Sequence, residues 1–215
     1  MARILITSGP TRQYLDPVRY LTNGSSGRMG RALAEAALEL GHSVVVVSGP
    51  VELRYPSAAE VIRVLTTDEM LAACLKVFPN CDGLIAAAAP CDYRPVRVAP
   101  HKISKTGRPL ELHLVETPDI VATLAAEKSE HQWLIGFALE TKDQRIRAQV
   151  KLEKKSCDLM VANGLAAMNS TDNHVEVIDR RGQLVDTLKG TKEEVARGIL
   201  EIADLRLIHG TWPGD

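Results

Sequence analysis

Ser8-Gly9-Pro10-Thr11-Arg12-Gln13-Tyr14-Leu15-Asp16-Pro17-Val18-Arg19-Tyr20-Leu21-Thr22-Asn23-Gly24-Ser25-Ser26-Gly27-Arg28-Met29-Gly30 is the stretch around which this chain is organised. An apolar strand, Ile4-Leu5-Ile6, precedes it, and an apolar-periodic helix starts near Gly27. A strand, a small-residue loop and a helix in that order make an anion-binding corner. The helix start leaves backbone N–H groups without partners, and its dipole favours negative charge there. Gly9, Gly24, Gly27 and Gly30 allow close backbone approach, and Ser25 and Ser26 can cap the helix or bind a ligand. An ordinary strand-to-helix turn would carry the same glycines, so glycine count alone does not separate the two readings.

Outward from that corner, strands and helices alternate. Leu33, Ala36, Ala37 and Leu40 repeat at helical spacing, and Gly41 stops the helix. Val44-Val45-Val46-Val47 reads as a central parallel strand, apolar on both faces. Val61–Leu65 is a third strand, followed by a capping box at Thr66 and Glu69 for a helix through Phe78. Leu84-Ile85-Ala86-Ala87 is a fourth strand. Pro95–Pro109 has no apolar period and carries His101, Lys102, Lys105 and Arg108, so it reads as a mobile basic loop. Leu110–Leu114 alternates as a half-exposed strand, and Thr117-Pro118-Asp119 starts a helix with proline at its first position. Leu134–Phe137 is a strand, Arg145–Lys155 a basic helix, and Leu159–Ala162 a further strand. His174–Ile178 and Gln183–Leu188 flank Arg180-Arg181-Gly182 as a hairpin, and Thr191 with Glu194 caps the last helix. The expected fold is a Rossmann-like, doubly wound, mainly parallel α/β sheet with a late antiparallel hairpin. Residues 1–209 are expected to form a single nucleotide-binding domain and 210–215 a flexible tail. The loops at Ser8–Gly27, Ala88–Lys105 and Gly136–Thr141 all follow strands and should face one crevice.

Composition narrows the chemistry. The chain has 215 residues and a formal net charge of -1, which suggests neither bulk nucleic-acid binding nor membrane adhesion. Cys74, Cys81, Cys91 and Cys157 are scattered, with no Cys-x-x-Cys pair, as reduced thiols in a cytoplasm would be. The first strand begins directly after Met1, so no signal peptide is expected, and no apolar run is long enough to span a bilayer. A nicotinamide oxidoreductase would need a short Gly-x-Gly-x-x-Gly turn and an acidic residue after the second strand. Here a long insertion separates strand from helix, and Val47 is followed by Ser48-Gly49-Pro50. No Gly-Lys-Ser/Thr run marks a P-loop, and no histidine pairs with cysteine at zinc spacing. Cys91 fits small-residue packing better than nucleophilic work. Lys102, Lys105, Lys151, Lys154 and Lys155 remain, as cations suited to neutralising a polyphosphate.

The ordered set of motifs resembles phosphopantothenate–cysteine ligase of the bacterial, CTP-dependent type. Thr7–Arg12, Leu15–Tyr20 and Asn23–Gly30 carry the first part of the likeness. Ala88-Ala89-Pro90-Cys91-Asp92-Tyr93-Arg94-Pro95, Lys102-Ile103-Ser104-Lys105 and Gly136-Phe137-Ala138-Leu139-Glu140-Thr141 follow in order. Lys151-Leu152-x-x-Lys155, Asp158 and Ala162-Asn163 complete it. The resemblance implies a ligase of coenzyme A biosynthesis that joins 4′-phosphopantothenate to L-cysteine. A carboxylate attacks the α-phosphate of CTP, pyrophosphate leaves, and cysteine displaces CMP from the acyl-cytidylate. Mg2+ accompanies the triphosphate, with ligands that the resemblance leaves unassigned. A homodimer in the cytoplasm is implied.

Carried onto matching positions, the resemblance makes Asn23 the contact to the reacting acyl group and Lys102 the loop lysine that reaches the triphosphate. It puts Gly9, Ser25, Gly27 and Gly30 in the phosphate-binding loop, and Ala88, Ala89 and Asp92 at the substrate–nucleotide junction. Pro118, Asp119, Ile120, Val121, Phe137, Lys151 and Lys155 form the pocket for base, ribose and phosphates. Arg19 contacts phosphopantothenate, across a dimer interface in one reading. Many bacterial members are fused behind a flavin-dependent decarboxylase. Without that domain no FMN binding is expected, and a separate decarboxylase or a shortened chain is implied. Pro90-Cys91 and Ser104 depart from the usual pattern. A nicotinamide oxidoreductase and a non-catalytic nucleotide-binding regulator stay as alternatives.

Overall fold

The computed structural model describes residues 1–140, 144–164 and 173–210; side chains at 139–140, 144–147 and 164 are outside the description. In chain order the strands and helices are β1 (Arg3–Ser8), β2 (Arg12–Tyr14), β3 (Tyr20–Thr22), α1 (Arg28–Glu39), β4 (Ser43–Ser48), β5 (Glu60–Arg63), α2 (Thr67–Val77) and β6 (Gly83–Ala86). There follow β7 (Tyr93–Pro95), β8 (Leu114–Glu116), α3 (Ile120–Glu127), β9 (Trp133–Glu140), α4 (Gln144–Lys154), β10 (Leu159–Gly164), β11 (Asn173–Asp179), β12 (Leu184–Gly190) and α5 (Lys192–Ala203).

An eight-stranded sheet has the order β12-β11-β10-β9-β6-β1-β4-β5. From β5 to β10 all pairings are parallel, and β11 and β12 extend that sheet antiparallel. This is the expected doubly wound sheet with its late hairpin, whose turn has Gly182 at φ +74°. The period-two alternation of a strand divides the core. Ile4 and Ile6 face the layer of α1 and α5, while Leu5 faces α2 and α3 with Val45, Val47, Leu84 and Leu134. α4 covers Ala138, Met160 and Ala162 through Ala148 and Leu152. Each such fully buried Leu or Ile contributes roughly 1.5–3 kcal/mol. No helix among the described residues is long and apolar enough to cross a membrane.

The chain leaves β1 outward to β4 and β5, then returns to β6 on the other side of β1. Strand order reverses there, and that reversal opens a crevice above the carboxyl ends of β1 and β6. Two small antiparallel ribbons, β2–β3 and β7–β8, stand at this edge. The first lies inside the long insertion, held by Tyr14 edge-on to Tyr20 at 5.5 Å and by Arg12 over the Tyr20 ring at 4.4 Å.

Local expectations change in four places. Leu110–Leu114 is not a strand: residues 104–116 are exposed, and only Leu114 joins β8, where β7 supplies a partner. Pro118 precedes the α3 cap instead of occupying its first turn, because Asp119 Oδ1 takes the N–H of Ala122 at 3.1 Å. Thr66 caps α2 through the N–H of Glu69, but Glu69 Oε2 accepts from Leu65 instead of Thr66, so that box is half made; the Thr191–Glu194 box is complete. Residues 136–140 are strand and not loop, paired with β10, while Thr141 lies outside the described residues, as does the expected tail from residue 211 on.

Candidate active site

A cleft of about 290 Å³ opens at the carboxyl ends of β1, β6 and β9. Thr7, Ala86 and Gly136 reach it from the strands. Gly136 leaves no room for a side chain, since a Cβ there would stand 2.8 Å from Met160 Cε and 3.0 Å from Cys157 Sγ. Phe137, Ile120 and Val121 give apolar wall, and Pro118 and Asp119 form the entry to α3. Ala88, Pro90 and Asp92 come from the loop after β6. The last turns of α4 supply Lys151 and Lys154, with Lys155 just beyond. Asp92, Glu116 and Asp119 line the same cleft. Asp119 does double duty, capping α3 with Oδ1 while Oδ2 pairs with Lys155 Nζ at 3.1 Å.

The cleft thus collects Ala88, Asp92, Pro118, Asp119, Ile120, Val121, Phe137, Lys151 and Lys155 of the expected site. Gly9, Ser25, Gly27 and Gly30 do not line it. Their side of β1 is filled: a Cβ on Gly9 would lie 2.8 Å from Val51 Cγ1, and one on Gly27 3.3 Å from Leu53 Cδ2. Gly30 packs directly on Ser8, whose Oγ donates to Gly27 O at 3.2 Å and accepts from Tyr55 OH at 2.8 Å. Ser25 and Ser26 do not cap α1; Gly27 is its N-cap, at φ +74°, without a side-chain bond.

Asn23 ties corner to cleft. Its Nδ2 donates to Ala89 O at 3.3 Å and to Pro90 O at 2.8 Å, while Ala89 N donates to Gly9 O at 2.9 Å. Lys102 is exposed on the segment between β7 and β8 and does not line the cleft. That segment is not without anchors: Ala99 N donates to Leu15 O at 2.9 Å, and Arg19 Nη2 donates to Ile103 O at 2.6 Å. Arg19 is also paired with Asp16, and its Nη1 makes no hydrogen bond among the described residues. Cys91 is buried, donates weakly through Sγ to Thr11 O and Leu21 O, and has its thiol pKa raised chiefly by burial, so it packs instead of attacking. Among the described residues no three ligating side chains cluster as a metal site.

Comparison with known proteins gives the family and the fold. A family model described as DFP, the DNA/pantothenate metabolism flavoprotein C-terminal domain, matches residues 1–205. The chain belongs to that family. A relative from Vibrio vulnificus (strain CMCP6), the coenzyme A biosynthesis bifunctional protein CoaBC, is 43% identical over 186 residues, covering 84% of this chain and 46% of its own length. The DFP-family chain therefore spans about half the length of such curated relatives. A crystal structure of the C-terminal domain of a CoaBC protein superposes with TM-score 0.82 at 39% identity, covering 96% of each chain. The H337A mutant of Cab2, solved with phosphopantothenate-cysteine, shares the fold at TM-score 0.81 and 18% identity, covering 96% of this chain and 88% of that one.

Thr7, Thr117 and Glu116 are cleft residues that sequence reasoning left out of the site, and Lys154 is one it named among the polyphosphate-neutralising cations without carrying it into the nucleotide pocket. Lys154 had a signal, since it adjoins Lys155 on the same basic helix. Thr117 had a weaker one, in its place beside Pro118-Asp119; its hydroxyl donates to Cys91 O at 2.6 Å and holds the loop after β6.

Proposed function

We propose that this chain is a phosphopantothenate–cysteine ligase that uses CTP. The observation that carries the reading is the set of three lysines at the end of α4, set against the α3 N-terminus across a cleft whose β6 loop Asn23 holds. Lysines placed so can neutralise a triphosphate, and backbone and apolar groups of Pro118–Val121 with Phe137 can seat a base and ribose. CTP as the nucleotide follows from the resemblance of the lysine segment and basic helix. The phosphopantothenate carboxylate attacks the α-phosphorus and pyrophosphate departs, leaving an acyl-cytidylate. The cysteine amine then attacks the acyl carbon, the C–O bond to CMP breaks, and the amine proton is lost. Lys102 serves the departing pyrophosphate. Arg19, with Nη1 open, takes an anionic group of phosphopantothenate. Asn23 donates its amide to the acyl oxygen, exchanging one of its present carbonyl partners for it. Gly9, Ser25, Gly27 and Gly30 offer backbone at the corner.

Mg2+ commonly needs one or two carboxylates beside phosphate oxygens and waters, and Asp92 and Glu116 at the cleft are donors of that kind. When bound, the ion would neutralise phosphate charge. We place the reaction in the cytoplasm, in a homodimer, with a decarboxylase, separate or in a longer chain, to consume the product. Product analysis with CTP, Mg2+, phosphopantothenate and cysteine tests the reading. Phosphopantothenoylcysteine, CMP and pyrophosphate in equal amounts are expected. CTP binding without pyrophosphate release would favour a regulator, and NADPH binding in the cleft an oxidoreductase.

A further inference from the structure

Asp16 is a wholly buried carboxylate with more donors than a turn requires. Its Oδ1 accepts from the N–H groups of Val18 and Arg19, both at 2.8 Å, which is enough to close the turn. Its Oδ2 accepts from Arg19 Nε at 2.9 Å, Arg19 Nη2 at 2.5 Å and Ile103 N at 3.1 Å. Arg19 Nη2 in turn donates to Ile103 O at 2.6 Å, so the Asp16–Arg19 pair holds both backbone groups of Ile103. A second tie, Ala99 N to Leu15 O at 2.9 Å, lies just before it. Between β7 and β8 the chain is otherwise exposed, and Ala99 and Ile103 are its half-buried residues. Lys102 stands between the two ties; Lys105 and Arg108 stand beyond them. A buried carboxylate is costly unless fully paired, and here its second oxygen is used on a segment far along the chain.

We propose that Asp16 is a positioning residue: through Arg19 and the backbone of Ile103 it sets where Lys102 stands during nucleotidyl transfer. The proposal rests on the ligase reading. It also explains why one lysine of the basic segment would serve the reaction and its neighbours would not.

The test is a double-mutant cycle in the full chain, with single-turnover pyrophosphate release from CTP, Mg2+ and phosphopantothenate as readout. Asp16→Asn is expected to slow release by roughly 10²-fold, the scale of a misplaced group, with CTP affinity held within a few-fold. In a Lys102→Gln background the same change is expected to cost less than about 3-fold, since nothing remains to position. Additive losses would overturn the proposal, because a general effect on the fold persists when Lys102 is gone. A wild-type rate in Asp16→Asn would overturn it too. If Asp16→Asn does not fold, Arg19→Lys takes its place, read at saturating phosphopantothenate so that the substrate contact proposed for Arg19 drops out: a lone ammonium lacks the guanidinium fork that spans Asp16 and Ile103 O, and the variant should show the same non-additivity. Should the wild-type protein release no pyrophosphate, the ligase reading and the catalytic half of the proposal both fail. Trypsin cleavage at Lys102 then decides the positioning half: faster cut in Asp16→Asn supports it, and an unchanged rate overturns it.

Discussion

Gly30→Ala separates a packing glycine from a ligand-binding one. A Cβ on Gly30 would stand 2.2 Å from Ser8 Oγ, 2.5 Å from Ser8 Cβ and 3.3 Å from Ser8 Cα. Rotating the Ser8 side chain moves Oγ but neither of the other two atoms, so α1 must shift off β1. Overpacking of this kind costs about 1–3 kcal/mol. Ser8 Oγ also leaves its bonds with Tyr55 OH and Gly27 O, each contributing about 1 kcal/mol. Alanine's better helix propensity returns about 1 kcal/mol. The net loss is about 2–4 kcal/mol, and at this chain length that lowers Tm by about 4–16 °C. Thermal unfolding followed by circular dichroism reads it. Gly198→Ala on α5 is the control, since its new Cβ would meet the flexible ends of Leu188 at 2.8 and 3.0 Å, and its Tm should hold or rise slightly. Removing the Ser8 hydroxyl leaves the 2.5 Å contact, so Ser8→Ala should rescue Gly30→Ala only in part. An unchanged Tm in Gly30→Ala, or an equal fall in Gly198→Ala, would refute the packing account.

Lys102→Gln is expected to slow pyrophosphate release by on the order of 10²–10³-fold with the fold intact, because an exposed side chain carries little packing; chemical quench with labelled CTP measures it. Asn23→Asp turns two donors into a carboxylate facing the Ala89 and Pro90 carbonyls, and cysteine ligation from preformed acyl-cytidylate should fall by roughly 10²-fold or more while CTP still binds. An unimpaired ligation rate would return Asn23 to a turn role. His42 is buried with Nδ1 accepting from Ala2 N at 3.2 Å, and burial lowers its pKa below the ordinary 6.5. The unfolded chain therefore takes up the proton first as pH falls through 6.5, and stability drops until the folded pKa is also crossed. Urea midpoints between about pH 7.5 and pH 5.5 should show that loss in wild type and less of it in His42→Gln, which keeps an acceptor for Ala2.

Sequence alone determined the layers. Val44–Val47, Leu84–Ala87 and Leu159–Ala162 are apolar on consecutive positions because a parallel strand is covered on both faces, and that pattern is local. The caps at Thr66 and Thr191 were legible for the same reason, since a cap and its N–H partner are three residues apart. The cleft's lysines were legible as a cluster on one helix. Tertiary structure alone decided the rest. That β1 stands between β4 and β6, and that the chain reverses direction there, depends on pairings between distant segments. The corner glycines were legible as small residues, but that Val51, Leu53 and Ser8 stand where a Cβ on them would go depends on segments brought together from elsewhere in the chain. Nothing in the sequence singled out Asp16, because the local half of its bonding is all that neighbouring residues reveal. Its other oxygen finds Ile103 only once β2–β3 and the segment after β7 are folded together. Local sequence carries periodicity and capping, which act over a few residues, whereas a buried charge chooses its partners by proximity in space.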